Sequence, residues 1–134
     1  MLTLLKVFDL TTASIGKKPE NGFTVRVAGE MITVRELIRL RIFQEVEDYN
    51  HRQPEVFQML VQPSETERTL NGYKFHKPRP IDPQAQFEKA IKAFEGNGFI
   101  VLVDDRQVTS LDAEIALRPD TTVTFLKLVP LVGG

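Results

Sequence analysis

The sequence contains no cysteine and no tryptophan among its 134 residues. Without cysteine the chain has no disulfide scaffold, no thiolate-ligated zinc or iron–sulfur cluster, and no thiol nucleophile. Its two histidines, His51 and His76, stand in unrelated contexts and do not form a metal-ligand spacing. We therefore expect neither a metal site nor a cofactor of the protein's own.

An excess of basic charge and long apolar runs are also missing. Lys and Arg total 17 against 18 for Asp and Glu, which gives a net charge of −1. Proteins that bind nucleic acid through its phosphates normally carry a basic excess or stripe. The apolar stretch 2–5 is interrupted by Thr3 and followed by Lys6, so it is too short for a signal peptide or a membrane span. We expect a cytoplasmic protein without nucleic-acid or membrane partners.

The composition is that of one globular domain over residues 1–134, with 42% hydrophobic and 26% charged residues. The sequence has no G-x-S-x-G elbow, Walker loop or zincin motif. The neighbouring acids Asp104 and Asp105 are typical of a hairpin turn, and Glu45 is expected on a solvated helix face with Glu47 and Asp48. We do not expect an enzyme.

Strands are predicted at both ends of the chain. Residues 2–10 and 23–27 are predicted to form an antiparallel hairpin across the loop 11–22, because Phe23, Val25 and Val27 alternate with polar residues. Later strands are expected at 99–103, 106–111 and 123–129, with an irregular piece at 111–117.

One long helix is predicted between these groups of strands. Thr33 and Glu36 have the T-x-x-E spacing of a capping box, which places the start of the helix at Thr33. Apolar residues then recur at helical spacing over Thr33–Asn50, and Pro54 predicts that the helix ends near residues 50–53. The predicted apolar stripe consists of Val34, Leu37, Ile38, Ile42, Val46 and Tyr49.

Residues 52–96 are predicted to be an insertion that runs over the surface. They contain several prolines, one short strand predicted at Val56–Val61, and a second helix from Asp82 to Glu95. Asp82 suits the N-cap and Pro83 the first helical position. This helix is expected to dock through Phe87, Ile91 and Phe94.

The first helix is expected to pack across the sheet. The predicted core residues are Phe23, Val25, Val27, Val34, Leu37, Ile38, Ile42, Val101, Val103, Val123 and Phe125.

The last strand is followed at once by the segment Pro130-Leu131-Val132-Gly133-Gly134. A frayed tail is the simplest explanation of two such glycines. They also have a chemical use, because a backbone without Cβ atoms can pass through a narrow enzyme channel. We expect residues 130–134 to form a flexible tail, extended when free.

The element order β-β-α-β-β-turn-β, the helix entry T-V-R-E-L-I and the ending V-T-F-L-K-L-V-P-L-V-G-G resemble the β-grasp family. That family includes ubiquitin, the ubiquitin-like modifiers and the bacterial sulfur carriers of thiamine and molybdopterin synthesis. The likeness covers roughly residues 1–50 and 99–134. It departs at Asp104-Asp105 and Pro119-Asp120, where the carriers usually have Asn-Gly and Gly-Asp. The resemblance implies an α+β fold in which a mixed sheet packs on one long helix.

For function, the resemblance implies a ubiquitin-like modifier. An activating enzyme would use ATP to adenylate the carboxylate of Gly134, Gly133 would give steric clearance, and Leu131 and Val132 would contact that enzyme. A conjugating enzyme, a deconjugating peptidase and target proteins are the further partners implied. Two alternatives stay open, a sulfur carrier with a C-terminal thiocarboxylate and a non-covalent β-grasp interaction module.

Leu126 and Leu128 lie on the predicted outer face of the last strand. An outer face exposed to water is normally polar, so both leucines need a covering partner. Two explanations are open: the insertion covers them, or they belong to the docking surface for the activating enzyme.

Overall fold

The computed structural model describes residues 2–11 and 22–128. Within them the chain is α+β, with two helices and a mixed sheet, which confirms the predicted class. The elements in chain order are β1 (Leu2–Thr11), β2 (Phe23–Ala28), β3 (Met31–Thr33), α1 (Val34–Arg52), β4 (Thr66–Thr69), β5 (Gly72–Phe75), α2 (Pro83–Glu95), β6 (Phe99–Val103), β7 (Arg106–Val108), β8 (Glu114–Ala116) and β9 (Thr122–Lys127).

The main sheet has five strands in the order β2-β1-β9-β6-β7. The first and last strands, β1 and β9, are parallel, and Val7 is in register with Val123. All other pairs are antiparallel, including the predicted hairpin of β1 with β2. Alternate residues face the buried side, as the two-residue period of a strand requires. The fully or almost fully buried strand residues of this sheet are Leu5, Val7, Val25, Val27, Phe99, Val101, Val123 and Phe125.

The chain divides into two compact units. Unit 1 comprises Met1–Leu37 and Phe94–Gly134, and unit 2 comprises Ile38–Ala93. The five-stranded sheet lies in unit 1, together with the short pair formed by β3 and β8. The hairpin of β4 and β5 lies in unit 2. The predicted single domain with an insertion at 52–96 stays a prediction.

Helix α1 begins as predicted. The amide of Glu36 donates to Oγ1 of Thr33 at 3.1 Å, so Thr33 is the N-cap rather than the first helical residue. The helix ends at Arg52, within the predicted range 50–53. Every residue of its predicted apolar stripe is at least 95% buried.

Unit 2 has a core of its own, so the prediction of a surface excursion is wrong. The predicted strand Val56–Val61 is reduced to a single bridge, in which Phe57 pairs with Tyr73 of β5. The rings of Tyr49, Phe57, Tyr73 and Phe75 form a contiguous cluster with centroid separations of 4.3 to 6.4 Å. Aromatic side chains from α1, β5 and the bridge therefore bury one another.

Helix α2 is capped as predicted, because the carboxylate of Asp82 accepts a hydrogen bond from the Gln84 amide at 3.1 Å. Of its three predicted docking residues only Phe94 is buried, whereas Phe87 and Ile91 are half-buried. Gln86 is buried instead, and its side-chain amide donates to the carbonyl of Val61 at 2.7 Å.

Nine of the eleven predicted core residues are buried, and the other two, Phe23 and Val103, are half-buried. Phe23 opens the edge strand β2, and Val103 is the last residue before the β6–β7 turn, so each has fewer neighbours. The piece predicted to be irregular contains a strand, β8, in which Ile115 pairs with Ile32. Residues 12–21 of the predicted loop lie outside the described residues.

Candidate functional site

Strand β9 occupies the middle of the five-stranded sheet, between β1 and β6. Val123 and Phe125 on its inner side have no exposed surface, and the strand is paired along both edges. Pairing with the neighbouring segment continues after the strand, where the amide of Leu128 donates to the carbonyl of Gly98 at 3.3 Å. The backbone is thus held in the sheet up to Leu128.

The outer side of β9 carries Thr124 and, towards the end of the strand, Leu126, as predicted. Leu126 is in register with Leu10 of β1 and with Ile100 of β6, so these three side chains are direct cross-strand neighbours on one face. Leu128 follows on the same side by the two-residue period. All four are half-buried. We call Leu10, Ile100, Leu126 and Leu128 the outer patch.

The remaining predicted site residues, Leu131, Val132, Gly133 and Gly134, lie outside the described residues. The structure therefore brings together only Leu126 and Leu128 of the six. The outer patch adds Leu10 and Ile100, which sequence reasoning missed. The alternation of residues within β1 and β6 indicates the face of the sheet on which Leu10 and Ile100 lie. Only the register of the strands shows that these two residues flank Leu126.

A polar cleft of about 280 Å³ lies in unit 1, beside the end of α2. Arg35 and Asp112 stand at its rim, 3.5 Å apart, and both are strongly exposed. The amide of Arg35 donates to the carbonyl of Leu111, and the Val34 amide donates to the carbonyl of Ala113. These bonds fix the start of α1 to the segment before β8. The residues at the rim of the cleft therefore have a structural role.

A second group of polar side chains lies inside unit 2. Arg41 and Glu45, on one face of α1, form an ion pair of 2.6 Å with only 5% and 13% of their side chains exposed. The other carboxylate oxygen of Glu45 accepts from the Leu60 amide at 3.2 Å. The prediction that Glu45 lies on a solvated face is wrong. Arg41 and Glu45 are four residues apart and lie on the same helix face as the apolar stripe. This spacing is the sequence signal that predicts burial of both.

Ser64 and Lys89 also meet in unit 2, where the lysine Nζ donates to the serine Oγ at 3.1 Å. A Ser–Lys nucleophile needs a lysine desolvated by its surroundings. Here Ser64 is exposed and Lys89 only half-buried. This geometry does not provide the desolvation that acyl transfer by such a pair requires.

Tyr49 has a shifted ionisation in this unit. Burial raises the pKa of its hydroxyl above the ordinary value of 10.0, and a hydrogen bond with the backbone of Arg79 lowers it by a smaller amount. The residue belongs to the aromatic cluster, so its perturbed pKa is explained by packing.

Residues 2–11 and 22–128 contain no group of three or more His, Cys, Asp or Glu side chains arranged to hold a metal ion. Neither helix within these ranges combines the length and the hydropathy that a membrane span needs. Compared with protein-family models, curated proteins and solved structures, the chain matches none of them.

Proposed function

We propose that the protein is a ubiquitin-like modifier of β-grasp fold, whose Gly134 carboxylate is adenylated by an activating enzyme and then conjugated to target proteins. The observation that carries the proposal is the position of β9. The strand that precedes the Gly133-Gly134 motif lies in the middle of the mixed sheet, parallel to the first strand. Six residues follow Leu128, and the last two are glycines.

Two further features of unit 1 support the β-grasp proposal. An antiparallel hairpin flanks each side of the central parallel pair, β2 with β1 and β7 with β6. Asp104 and Asp105 form the turn of the second hairpin with φ angles of +48° and +68°, the left-handed conformation of a type I′ turn. The sulfur carriers of the family usually have Asn-Gly at this turn, a pair that favours the same type I′ conformation.

The proposed chemistry needs only the carboxyl group of Gly134. A carboxylate oxygen attacks the α-phosphorus of ATP, the bond to pyrophosphate breaks, and an acyl-adenylate forms on the activating enzyme. On the direct route a lysine amine of a target then attacks the carbonyl carbon, the amine loses a proton and AMP leaves. Where a conjugating enzyme takes part, its thiol displaces AMP first, and the lysine amine then displaces that thiol to form the amide. The absence of Cβ atoms at Gly133 and Gly134 allows close approach to the nucleotide.

The outer patch is the proposed docking surface for the activating enzyme. It is apolar, it is only half-buried, and its residue Leu128 immediately precedes the segment 129–134. An enzyme that contacts Leu126 and Leu128 therefore has the glycine motif within a few residues. An interface with an apolar centre and a polar rim is the usual arrangement for such a contact.

Conjugation can be detected by a tryptic remnant. Trypsin cleaves after Lys127, so a conjugated target lysine retains the heptapeptide Leu128–Gly134. We expect this remnant on lysines of other proteins when the tagged chain is expressed in its native cells and purified under denaturing conditions. The matched control is Gly133→Val, which should give no remnant at normal abundance. Conjugates formed equally by the variant would refute the proposal.

The alternatives are distinguished by the intact mass of the protein recovered from the same cells. Replacement of one oxygen by one sulfur would identify a sulfur carrier, and an unmodified mass without conjugates would identify a non-covalent module.

The substitution Leu126→Asp tests whether the outer patch is the docking surface for the activating enzyme. We expect lost conjugation with a native-like circular dichroism spectrum, whereas Thr24→Asp, exposed on the outer side of β2, should conjugate normally.

A further inference from the structure

Ser64 lines a small pocket together with two basic side chains. The pocket has a volume of about 130 Å³ and lies within unit 2, between the turn before β4 and the start of α2. Lys89 of α2 donates through Nζ to the Ser64 Oγ at 3.1 Å. Arg79 lines the same pocket, with its guanidinium 5.5 Å from the centre of the Phe75 ring. The hydroxyl therefore contacts one cationic side chain, and a second one lines the same pocket.

The turn that carries Ser64 is both accessible and well defined. Ser64 is exposed, and the next residue, Glu65, has a φ of +64°. The Thr66 hydroxyl donates to the carbonyl of Pro63 at 2.6 Å, and the side-chain amide of Gln62 donates to the carbonyl of Thr66 at 3.0 Å. These bonds close the turn and present the serine hydroxyl at the surface.

The residues after Ser64 form an acidic pattern, Ser-Glu-Thr-Glu. Glu65 and Glu67, at the first and third positions after the serine, are both exposed. Kinases select substrates partly by charge complementarity, so a basic substrate groove would favour this pattern. A serine with two following glutamates is thus the type of substrate that an acid-directed serine kinase accepts.

We infer that Ser64 is a phosphorylation site for an acid-directed serine kinase and that the phosphate is held in the pocket by Lys89 and Arg79. The serine Oγ forms a bond to the γ-phosphorus of ATP, the bond between that phosphorus and the leaving ADP breaks, and the hydroxyl proton passes to the base of the kinase. The inference is independent of the proposed conjugation of Gly134.

The phosphate changes the contacts of the pocket in a defined way. Arg79 forms an ion pair with the Glu65 carboxylate, and Asp82 also lines the pocket. A phosphate with nearly two negative charges competes with Glu65 for Arg79 and adds charge-assisted bonds to Lys89. Because Lys89 belongs to α2, the modification ties the turn at 63–65 to that helix. The two cations favour the dianionic phosphate, whereas Glu65 and Asp82 oppose it.

The test uses the full chain, ATP and a purified acid-directed serine kinase. We expect mass spectrometry to locate the phosphate on Ser64, and we expect Glu65→Gln with Glu67→Gln to slow its incorporation at least tenfold. Failure to modify Ser64, or an unchanged rate in the double variant, would overturn the assignment to this class of kinase.

A second measurement tests the pocket itself. The phosphorus resonance of phosphorylated Ser64 should titrate at lower pH in the folded chain than in a phosphopeptide of residues 60–69. Lys89→Gln should remove most of this difference, whereas Lys92→Gln, exposed on the same helix, should preserve it. Identical titration of the folded chain and the peptide would show that Lys89 and Arg79 do not hold the phosphate.

Discussion

Replacement of Gly72 by alanine should destabilise unit 2 strongly. Gly72 opens β5 with a φ of +142°, and an added Cβ would lie 2.3 Å from the carbonyl oxygen of Phe57. That close approach accompanies two backbone bonds between Phe57 and Tyr73, of 3.0 and 2.8 Å. An alanine must therefore adopt an unfavourable backbone conformation, and its Cβ must also displace the backbone of Phe57.

The magnitude follows from these two effects. A non-glycine residue at such a φ costs about 1–3 kcal/mol. Loss of the two backbone hydrogen bonds costs about 0.5–1.5 kcal/mol each. If Phe57 loses both bonds, the free energy of unfolding of unit 2 should therefore fall by about 2–6 kcal/mol, of which the backbone conformation accounts for about 1–3 kcal/mol.

Gly29→Ala is the matched control. Gly29 has a φ of +97°, and no described atom lies within 4 Å of the position that an alanine Cβ would take. This variant keeps the conformational penalty of about 1–3 kcal/mol but lacks the steric one. The difference between the two variants therefore isolates the displacement of Phe57.

Urea denaturation followed by tyrosine fluorescence provides the assay for Gly72→Ala. The chain has two tyrosines and no tryptophan, and both Tyr49 and Tyr73 belong to unit 2. For Gly29→Ala, amide exchange at Val7 and Val123 reports on unit 1. A loss for Gly72→Ala that is no larger than the loss for Gly29→Ala would refute the proposed role of the contact with Phe57.

Three further changes test other features of the fold. Glu45→Gln removes a carboxylate that pairs with the buried Arg41 guanidinium, so the tyrosine-monitored unfolding free energy should fall by about 3–5 kcal/mol; the exposed Glu88→Gln should change it by less than about 0.5 kcal/mol. Burial raises the pKa of the Tyr49 hydroxyl, so the neutral side chain makes its full contribution to the free energy of unfolding below the ordinary pKa of 10.0. That contribution is lost as the pH rises through the folded-state pKa of Tyr49. Tyr49→Phe should abolish that loss in unfolding measurements from about pH 9 to 12. Asp105→Gly should raise the melting temperature, since glycine adopts a φ of +68° without penalty. Asp104→Gly should not raise it, because the change also removes the carboxylate that accepts the Thr122 amide.

The helix starts were predictable because their signals are local. Thr33 and Asp82 each accept an amide from a residue two or three positions further on, so the cap is complete within four residues. The apolar stripe of α1 follows from the helical period alone. The same holds for the turn at Asp104 and Asp105, whose short polar side chains tolerate the left-handed conformation.

Other elements depend on partners that are distant in sequence. The three-residue strands β3 and β8 have little strand propensity to detect, and they exist because Ile32 pairs with Ile115. The hairpin of β4 and β5 begins in a charged, threonine-rich stretch that resembles a surface loop. Phe57 stabilises it by pairing with Tyr73, so the decisive contact lies outside the hairpin itself.

The sequence by itself determined the α+β class, the caps of both helices and the alternation that places Leu126 on the side of β9 opposite to Val123 and Phe125. Only the tertiary structure decided which polar residues are buried and which apolar residues meet. Arg41 is buried because Glu45 pairs with it, and Gln86 because the Val61 carbonyl accepts its amide. Periodicity fixes the face on which a residue lies, but register and long-range pairing fix its neighbours. Leu126 was therefore predicted to lie on the outer face, whereas its position between Leu10 and Ile100 required the folded sheet.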